Sequence, residues 1–354
     1  ARGGNKYTTE YVMVEYYEYS TSARNVNSIN WVKNNLGNVE TGNNLGLPSI
    51  TIPANVAFLA VHQVFDGENT KNTALEAITV KMQGKKIRTI TNATTIASST
   101  SYSTNPAEIL LDLLTTGLDI ADADIDIATF YQAKTDCSNA GFTCDIALIQ
   151  QANIQSIISD VLATCRGNIF HSESKWKFKI DTKSQSLADT LTSDDVLGNS
   201  LTISMAGSAT IANKVILKYI DPSDEYLSKE SVKEDTTLQT YDGQVVTKIL
   251  DAKGVDSAAQ ADKLCEIALN SLRYSEDASG NRVKQTPLAI SFATSVKNAH
   301  LEVGDVIALN HTLLDRVRKF LLLSTMTDQS GVVQISAREY AETHFKNSSG
   351  SYLI

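Results

Sequence analysis

The sequence predicts a multi-domain α+β protein in which β-barrel-like domains accompany a small helical α/β module. Three observations carry that reading. Short β-branched runs recur between Gly, Asn and Pro turns, one dense block of helix signals lies between Asn105 and Cys165, and strand alternation returns abruptly at Asn168–Ile180. The expected parts are a β-rich module over 1–98 that need not be complete at its N-terminus, and an α/β module over 99–185 with three helices and a hairpin. A β-barrel-like domain with one helix over 186–345 and a tail over 346–354 complete the chain.

Tyr7–Ser20 is rich in β-branched and aromatic residues and reads as a strand. Thr21–Leu47 reads as a long loop, Ser49–Val64 as a strand pair around Pro53, and Ala77–Ile90 as a strand with Gly84 and Lys85 at a turn. The Thr/Ser run TNATTIASSTSYST is a polar exit into the helical block. There Asn105 caps a helix that starts at Pro106, with Glu108 completing a capping-box-like pattern, Leu110, Leu111, Leu113 and Leu114 giving an apolar face, and Gly117 ending it. A second, short helix starts at Asp122 or Asp124 and turns Ile127, Phe130 and Tyr131 inward. In the third, Ile154, Ile157, Ile158, Val161, Leu162 and Cys165 form one stripe at helical spacing, and Gly167 supplies the stop. A hairpin follows, turning at His171–Ser174, with Trp176, Phe178 and Ile180 alternating against Lys175, Lys177 and Lys179.

Beyond the hairpin, Lys183–Asn199 is polar and begins with a short helix near Leu187. Leu201–Ala206 and Lys214–Tyr219 read as strands, the second placing Val215, Leu217 and Tyr219 on one side. Asp221–Asp224 is a turn, Glu230–Gln239 another strand, and Tyr241–Gly243 a tight turn before Val245–Leu250. One helix interrupts them, capped by Asp256 or Ser257, with Gln260 at its third position and Ala261, Leu264, Cys265, Ala268 and Leu272 as its inner stripe. Leu288–Ser295 and HLEVGDVIAL resume the strands, Gly304 taking the positive φ of a type II turn. Phe320–Ser324 and Val332–Ala337 make a last hairpin, and HFKNSSGSYLI reads as a tail.

With 354 residues, 42% hydrophobic and 20% charged, the chain can bury a sizeable core in two or three domains. A net charge of -9 and a pI near 5.1 argue against wrapping nucleic acid. Ordinary solubility charge accounts for them. No run of about 18 apolar residues is present, so no membrane span is expected, and no secretory signal is seen. Four cysteines, Cys137, Cys144, Cys165 and Cys265, are too few for a disulfide scaffold and read as reduced, buried thiols.

Asp122, Asp124 and Asp126 in DADID invite a calcium reading, but Ile127 and Ala133 stand where an EF-hand needs Gly and Glu, so capping is the better account. Cys137, Cys144, Cys165 and His171 lack the paired spacing of a zinc knuckle, and a Cys137–Cys144 disulfide is a minority reading in a reducing compartment. No P-loop, HExxH or GxSxG pattern occurs, and His62, His171, His300, His311 and His344 are scattered, with a structural hydrogen bond the expected role of His300. Glu108 and Asp112 on one helix face are no evidence for glycoside hydrolysis, and Lys85-Lys86-Arg88 and Arg316–Lys319 read as solvated faces. No catalytic, cofactor-binding or metal-binding residue is expected, and no cofactor.

The order of the pieces is itself informative. NPAEILLDLLT with GLDI, FTCDIALIQQANIQSIISDVLATCRGNIFHSESKWKFKID, NKVILKYIDPSDEY, the helix after GVDSAAQADKLCEIALNSLRY, HLEVGDVIAL and VVQISAREY resemble, in order and approximate spacing, the tip attachment protein J family of lambda-type phages and related tail hub proteins. Where that family usually has Pro before the Gly of the HLEVGD turn, this chain has Val303. The resemblance implies a virion structural protein and no enzyme: a trimeric hub of barrel domains at the tail tip, assembled in the host cytoplasm. Its partners would be the tail tube, distal tail proteins, the tape-measure protein and tail fibre or receptor-binding proteins, with DNA passing unread through the channel. The rival readings are the hub of a contractile tail or secretion machine, a tail-borne cell-wall-degrading enzyme, and a host-recognition β module.

Overall fold

The computed structural model describes Tyr11–Tyr17, Arg24–Val26, Ile50–Ile52 and Phe58–Val64 within the first part of the chain, and residues 84–354 apart from 149–151, 184 and 206–210. It divides into two compact units, Ala1–Met82 and Gln83–Ile354. In the first, β1 (Tyr11–Tyr17) pairs antiparallel with β4 (Phe58–Val64), and β2 (Arg24–Val26) with β3 (Ile50–Ile52). The two strands read around Pro53 therefore exist, but each pairs with an earlier strand. Most of the Thr21–Leu47 reading, and the Ala77–Met82 part of the next one, lie outside the described residues.

The second unit opens with a hairpin of β5 (Ile87–Asn92) and β6 (Thr95–Ser101). The Thr/Ser run read as a polar exit is thus a paired strand, because Ile90 is buried and Ile96 packs beside it on the helical core. Asn105 caps α1 (Pro106–Asp112) by accepting from Ala107 N at 3.0 Å, and a π-turn over Leu113–Gly117 follows. The second helix, α2 (Ile127–Ala140), is long rather than short. Asp126 caps it by accepting from Thr129 N, and Gly141, at φ 70°, closes it.

The third, α3 (Ile154–Cys165), follows the predicted stripe and starts at Asn153, whose side chain accepts from Gln155 N. Its left-handed cap is Arg166 (φ 58°) and not the glycine. Gly167 is needed one residue later for a different reason: a Cβ there would lie 2.4 Å from the Phe178 ring. Gly167 opens β7 (Gly167–Ser172), which pairs with β8 (Lys175–Ile180) through a two-residue turn at Glu173 and Ser174, both at positive φ. Phe178 is fully buried against Phe130 of α2, a burial that stabilises by about 1.5–3 kcal/mol.

Two sheets complete the unit. In the first, β11 (Lys214–Asp221) lies between antiparallel β12 (Leu227–Glu234) and parallel β13 (Thr247–Asp251). The predicted Glu230–Gln239 strand stops at Glu234, where Asp235 caps α4 (Thr236–Asp242), so the predicted turn at Tyr241–Gly243 is a helix end with Gly243 left-handed. Against the inner face of this sheet, where Val215, Leu217 and Tyr219 are buried, lies α5 (Ala258–Arg273). A short ladder, β14 (Ser275–Glu276) with β15 (Arg282–Val283), follows.

The second sheet has six strands, including β9 (Leu187–Thr192), β10 (Thr202–Met205), β16 (Leu288–Ser295), β17 (Val306–Asn310), β18 (Arg318–Thr327) and β19 (Val332–Glu339) in the spatial order β10-β16-β19-β18-β17-β9. Near Leu187 the chain is strand, not helix, because β9 runs parallel to β17 and buries Leu191. All six strands contribute to one apolar cluster, from Leu191 and Ile203 through Phe292, Leu309, Phe320 and Ile335, with no helical residue in it. Strands that cover their own core must curl. After β9 the chain crosses to β16 through a bridge between Val196 and Thr294, yet β9 and β10 are not paired with each other among the described residues, so the expected barrel is curled but not closed. The fold is therefore mixed α+β with several sheets.

The segment read as a tail folds back onto the core at its two ends, while residues 348–352 between them are exposed. Thr343, His344 and Phe345 are buried, Leu353 N donates to Phe345 O at 2.7 Å, and Leu353 and Ile354 pack with Ile267 of α5, Val306, Leu321 and Tyr340. Consequently α5 is covered on both sides, by the three-stranded sheet and by the outer face of the curled one.

Candidate functional site

Where β8 meets the curled sheet, alternation puts Lys177 and Lys179 on the face opposite Phe178 and Ile180. Lys177 Nζ reaches Glu173 and Glu302, both at 2.6 Å, and Lys179 Nζ reaches Glu302 at 3.0 Å and Asp305 at 2.7 Å. Burial alone would lower the Lys177 ammonium, but the two glutamates outweigh it and hold it above its usual range. Burial likewise works against the Glu302 carboxylate, and the two lysines prevail and keep it low. Glu302 and Asp305 are presented by the predicted turn: Asp305 N donates to Glu302 O, Gly304 sits at φ 83°, and a Cβ on Gly304 would lie 3.2 Å from Lys179 Cβ. The Gly is therefore required both by the backbone and by the close passage of β8.

A second tie lies at the end of β8. Asp181 Oδ2 accepts from Arg166 at 2.6 Å and from Arg338 of β19 at 2.5 Å. Its side chain is 3% exposed, against 16% for Arg166 and 34% for Arg338. Burial opposes the charge on Asp181, and the two guanidinium groups overcome it and hold the carboxyl below its usual range. His344 faces this cluster. Its imidazole is pushed down to about 4 by burial, and its Nε2 lies 2.7 Å from the Tyr274 carbonyl, so the ring is neutral and Nε2–H donates. Arg166 Nε, Asp181 Oδ1 and Thr343 Oγ1 are buried without a hydrogen-bond partner among the described residues.

Beside the first tie is a cleft of about 350 Å3, lined by α2, β8, Thr182, Gln185, Ser186 and the Gly304 turn. A third buried connection is neutral. Gln260 of α5, read as a capping position, is buried and instead accepts from Thr143 N and Oγ1 while donating to the carbonyls of Thr143 and Thr164.

The fold scatters the residues that the sequence offered for chemistry. Glu108, expected in a capping box, is buried and accepts from Ile90 N and Lys134, while Asp112 takes Lys85, so the two carboxylates serve different lysines. Asp122 binds Arg88 through both oxygens, Asp126 is a helix cap and Asp124 is exposed. Cys137, Cys144, Cys165 and Cys265 are buried free thiols. Hydrogen bonding with Cys165 and burial push the Cys137 thiol up, and burial pushes Cys144 up to about 12, which makes both poor nucleophiles. His171 stacks edge-on against Trp176, His300 Nδ1 bonds the Lys297 carbonyl, and His311 Nδ1 accepts from Leu313 N. Arg316–Lys319 is not a solvated face throughout, because Arg318 is buried and pairs with Glu339 at 2.6 Å at the end of the curled sheet's core. Among the described residues, no three His, Cys, Asp or Glu side chains gather as metal ligands, and no helix is long and apolar enough to cross a membrane.

Charged side chains thus fasten the β7–β8 hairpin and the end of α3 to the curled sheet. Residues 153–324 match a family described as "Putative phage tail protein". No curated protein matches the chain. Among solved structures, a chain in the virion of a native gene transfer agent particle is similar over 68% of this chain and 48% of its own length, at 14% identity and a TM-score of 0.51, which shows a shared fold. This chain thus spans about half of that one. A tail protein from Neisseria meningitidis MC58 (13% identity, TM-score 0.37, 56% of this chain and 58% of that one) and a prophage tail protein from Listeria monocytogenes EGD-e (10%, 0.32, 59% and 63%) are more distant. The chain is therefore similar to phage tail proteins, the coarse form of the resemblance read from its motifs.

Proposed function

We propose that the chain is a structural component of a phage tail tip: a central hub, working as a homotrimer, that connects the tail tube to distal host-attachment parts and gates DNA ejection. The observation that carries this reading is the match of residues 153–324 to phage tail proteins, a stretch that includes every member of the Lys177–Lys179–Glu302–Asp305 joint. The curled sheet supplies edge strands, β9 and β10, to which neighbouring chains can dock. Cyclic symmetry is the ordinary route by which one such surface builds a ring. The tail tube, the tape-measure protein and fibre or receptor-binding proteins are the partners, and the net charge of -9 suits a wall that lets DNA pass unread. The role is mechanical and not catalytic, and its place is the virion, with assembly in the host cytoplasm.

Light scattering on the full chain and gold-labelled antibody on intact particles test this together. A trimer and label at one end of the tail are expected. A strictly monomeric chain that degrades peptidoglycan, or label confined to the capsid, would overturn it.

A further inference from the structure

The three-stranded sheet turns the face opposite Val215, Leu217 and Tyr219 away from α5. On that face the register aligns Val232, Ile216 and Ile249 across β12, β11 and β13, and Val232 and Ile249 are exposed. A polar row runs on either side of this apolar one. In the first, Glu234 pairs with Lys214 at 3.5 Å and Thr247 stands next in line; in the second, Glu230 pairs with Lys218 at 3.9 Å and Asp251 stands next. Strand β13 is also an edge. Lys214 N donates to Val246 O and Ala252 N to Lys218 O. In such a parallel ladder Lys248 and Leu250 bond to β11, while Thr247, Ile249 and Asp251 turn their N–H and C=O groups away from it. Among the described residues no strand pairs with that side.

These three residues complement themselves. When two copies meet edge to edge, antiparallel about a two-fold axis at Ile249, each Ile249 faces its counterpart and each Thr247 faces Asp251 of the other copy. Every outward N–H then finds an outward carbonyl, and a hydroxyl meets a carboxylate on either side of the axis. The polar rows join in the order Glu234, Lys214, Thr247, Asp251, Lys218, Glu230, with no like charges adjacent. Neighbouring arrangements lose this match. An axis at Lys248 sets two ammonium groups face to face, and one at Leu250 sets Ile249 against Asp251. Laying Ile249 on Val232 of another copy brings Asp251 against Glu230. We propose that the outer edge of β13 docks a second copy of this chain, paired antiparallel about Ile249. The contact goes beyond the tail reading and does not rest on it. Its 5 residues a side are few against the roughly 20–30 of a stable interface, so its expected Kd is roughly 0.1–1 mM and it forms where copies are held close together.

Disulfide trapping on the full chain with oxidised glutathione tests the pairing, with the unmodified chain as blank because its four thiols are buried. Ile249→Cys is expected to give a covalent dimer, since facing Cα atoms of a hydrogen-bonded pair lie about 5.5 Å apart, within disulfide reach. Thr247→Cys sits about 13 Å along the strand from its counterpart and should link at least about tenfold more slowly, while Thr247→Cys with Asp251→Cys should link as fast as Ile249→Cys. In the Ile249→Cys chain, Thr247→Asp sets two carboxylates together on both sides of the axis and should slow linking about tenfold. Adding Asp251→Thr restores the native net charge and should recover the rate. Linking of Ile249→Cys no faster than of Thr247→Cys, no slowing by Thr247→Asp, or no recovery in the swapped chain would each overturn the proposal. So would preferential linking of Ile249→Cys to Val232→Cys into rings, which would assign the edge to a different strand of the neighbour.

Discussion

Asp181→Asn changes one charge and almost no volume, and the structure says where the loss falls. Asn keeps one acceptor oxygen for the two guanidinium groups, so the hydrogen bonds survive and the Coulomb attraction does not. Removing one partner of a buried pair costs about 3–5 kcal/mol, because the other charge stays buried without compensation. Arg166, at 16% exposure, meets that description, whereas Arg338, at 34%, keeps water and contributes no more than about 1 kcal/mol, as surface pairs do. The expected loss is therefore about 3 kcal/mol, most of it through Arg166. Urea unfolding followed by Trp fluorescence reads this directly, since Trp176 lies on β8, and the midpoint should fall with the slope unchanged. Double-mutant cycles of Asp181→Asn with Arg166→Met and with Arg338→Met should give the larger coupling to Arg166. A total loss below about 1 kcal/mol, or a larger coupling to Arg338, would refute the account of this joint.

Three further outcomes follow from the same geometry. His344 is neutral in the fold, held near 4 against an ordinary 6.5, so its contribution is complete above pH 6.5 and is lost as pH falls from 6.5 to about 4. That window is worth about 3 kcal/mol by proton linkage, and His344→Gln should flatten the pH–stability slope within it, leaving the losses from carboxylates held low in the fold, Glu302 below pH 4.5 and Asp181 among others below pH 3.8. An unchanged slope in a pH series of urea titrations would contradict this. Gly167→Ala drives a methyl into the Phe178 ring and should cost about 1–3 kcal/mol by the same measurement, whereas Gly117→Ala, whose added methyl would meet nothing nearer than Ile154 Cδ1 at 3.8 Å, should lose less. Val303→Pro should stabilise by about 0.4–1 kcal/mol, because Val303 holds the second position of the Glu302–Asp305 turn, where Pro presets φ. A lower thermal midpoint in that variant would show that the turn is not type II.

Local signals were legible where the answer is local. Asn105 with Pro106, the isoleucine stripe of α3, the Lys-x-Lys alternation of β8 and the Gly304 turn all depend on neighbours within a few residues, and each formed as read. The misreadings share a cause. Leu187 reads as helix only if the parallel partner Val306 is unknown, and the C-terminal residues read as a tail only if Ile267 and Tyr340 are unknown. Arg166 displaced Gly167 as the helix cap because its side chain is tied to Asp181, while the glycine was needed by a ring eleven residues away. The joint residues were in view as sequence, in KWKFKID and HLEVGD, but nothing short of the fold pairs a lysine with a carboxylate more than 120 positions downstream.

Gln260 bears on how the chain comes off the ribosome. Its four hydrogen bonds complete the floor under Thr143 and Thr164, so the helices that emerge first stay without that floor until α5 has been made. From the end of β8 to the end of α5 roughly 90 residues must be added, a delay of about 5–20 s at ordinary rates of synthesis. During it, greasy surfaces around Phe142 and Cys165 face solvent, where a nascent-chain chaperone or a premature neighbour can reach them.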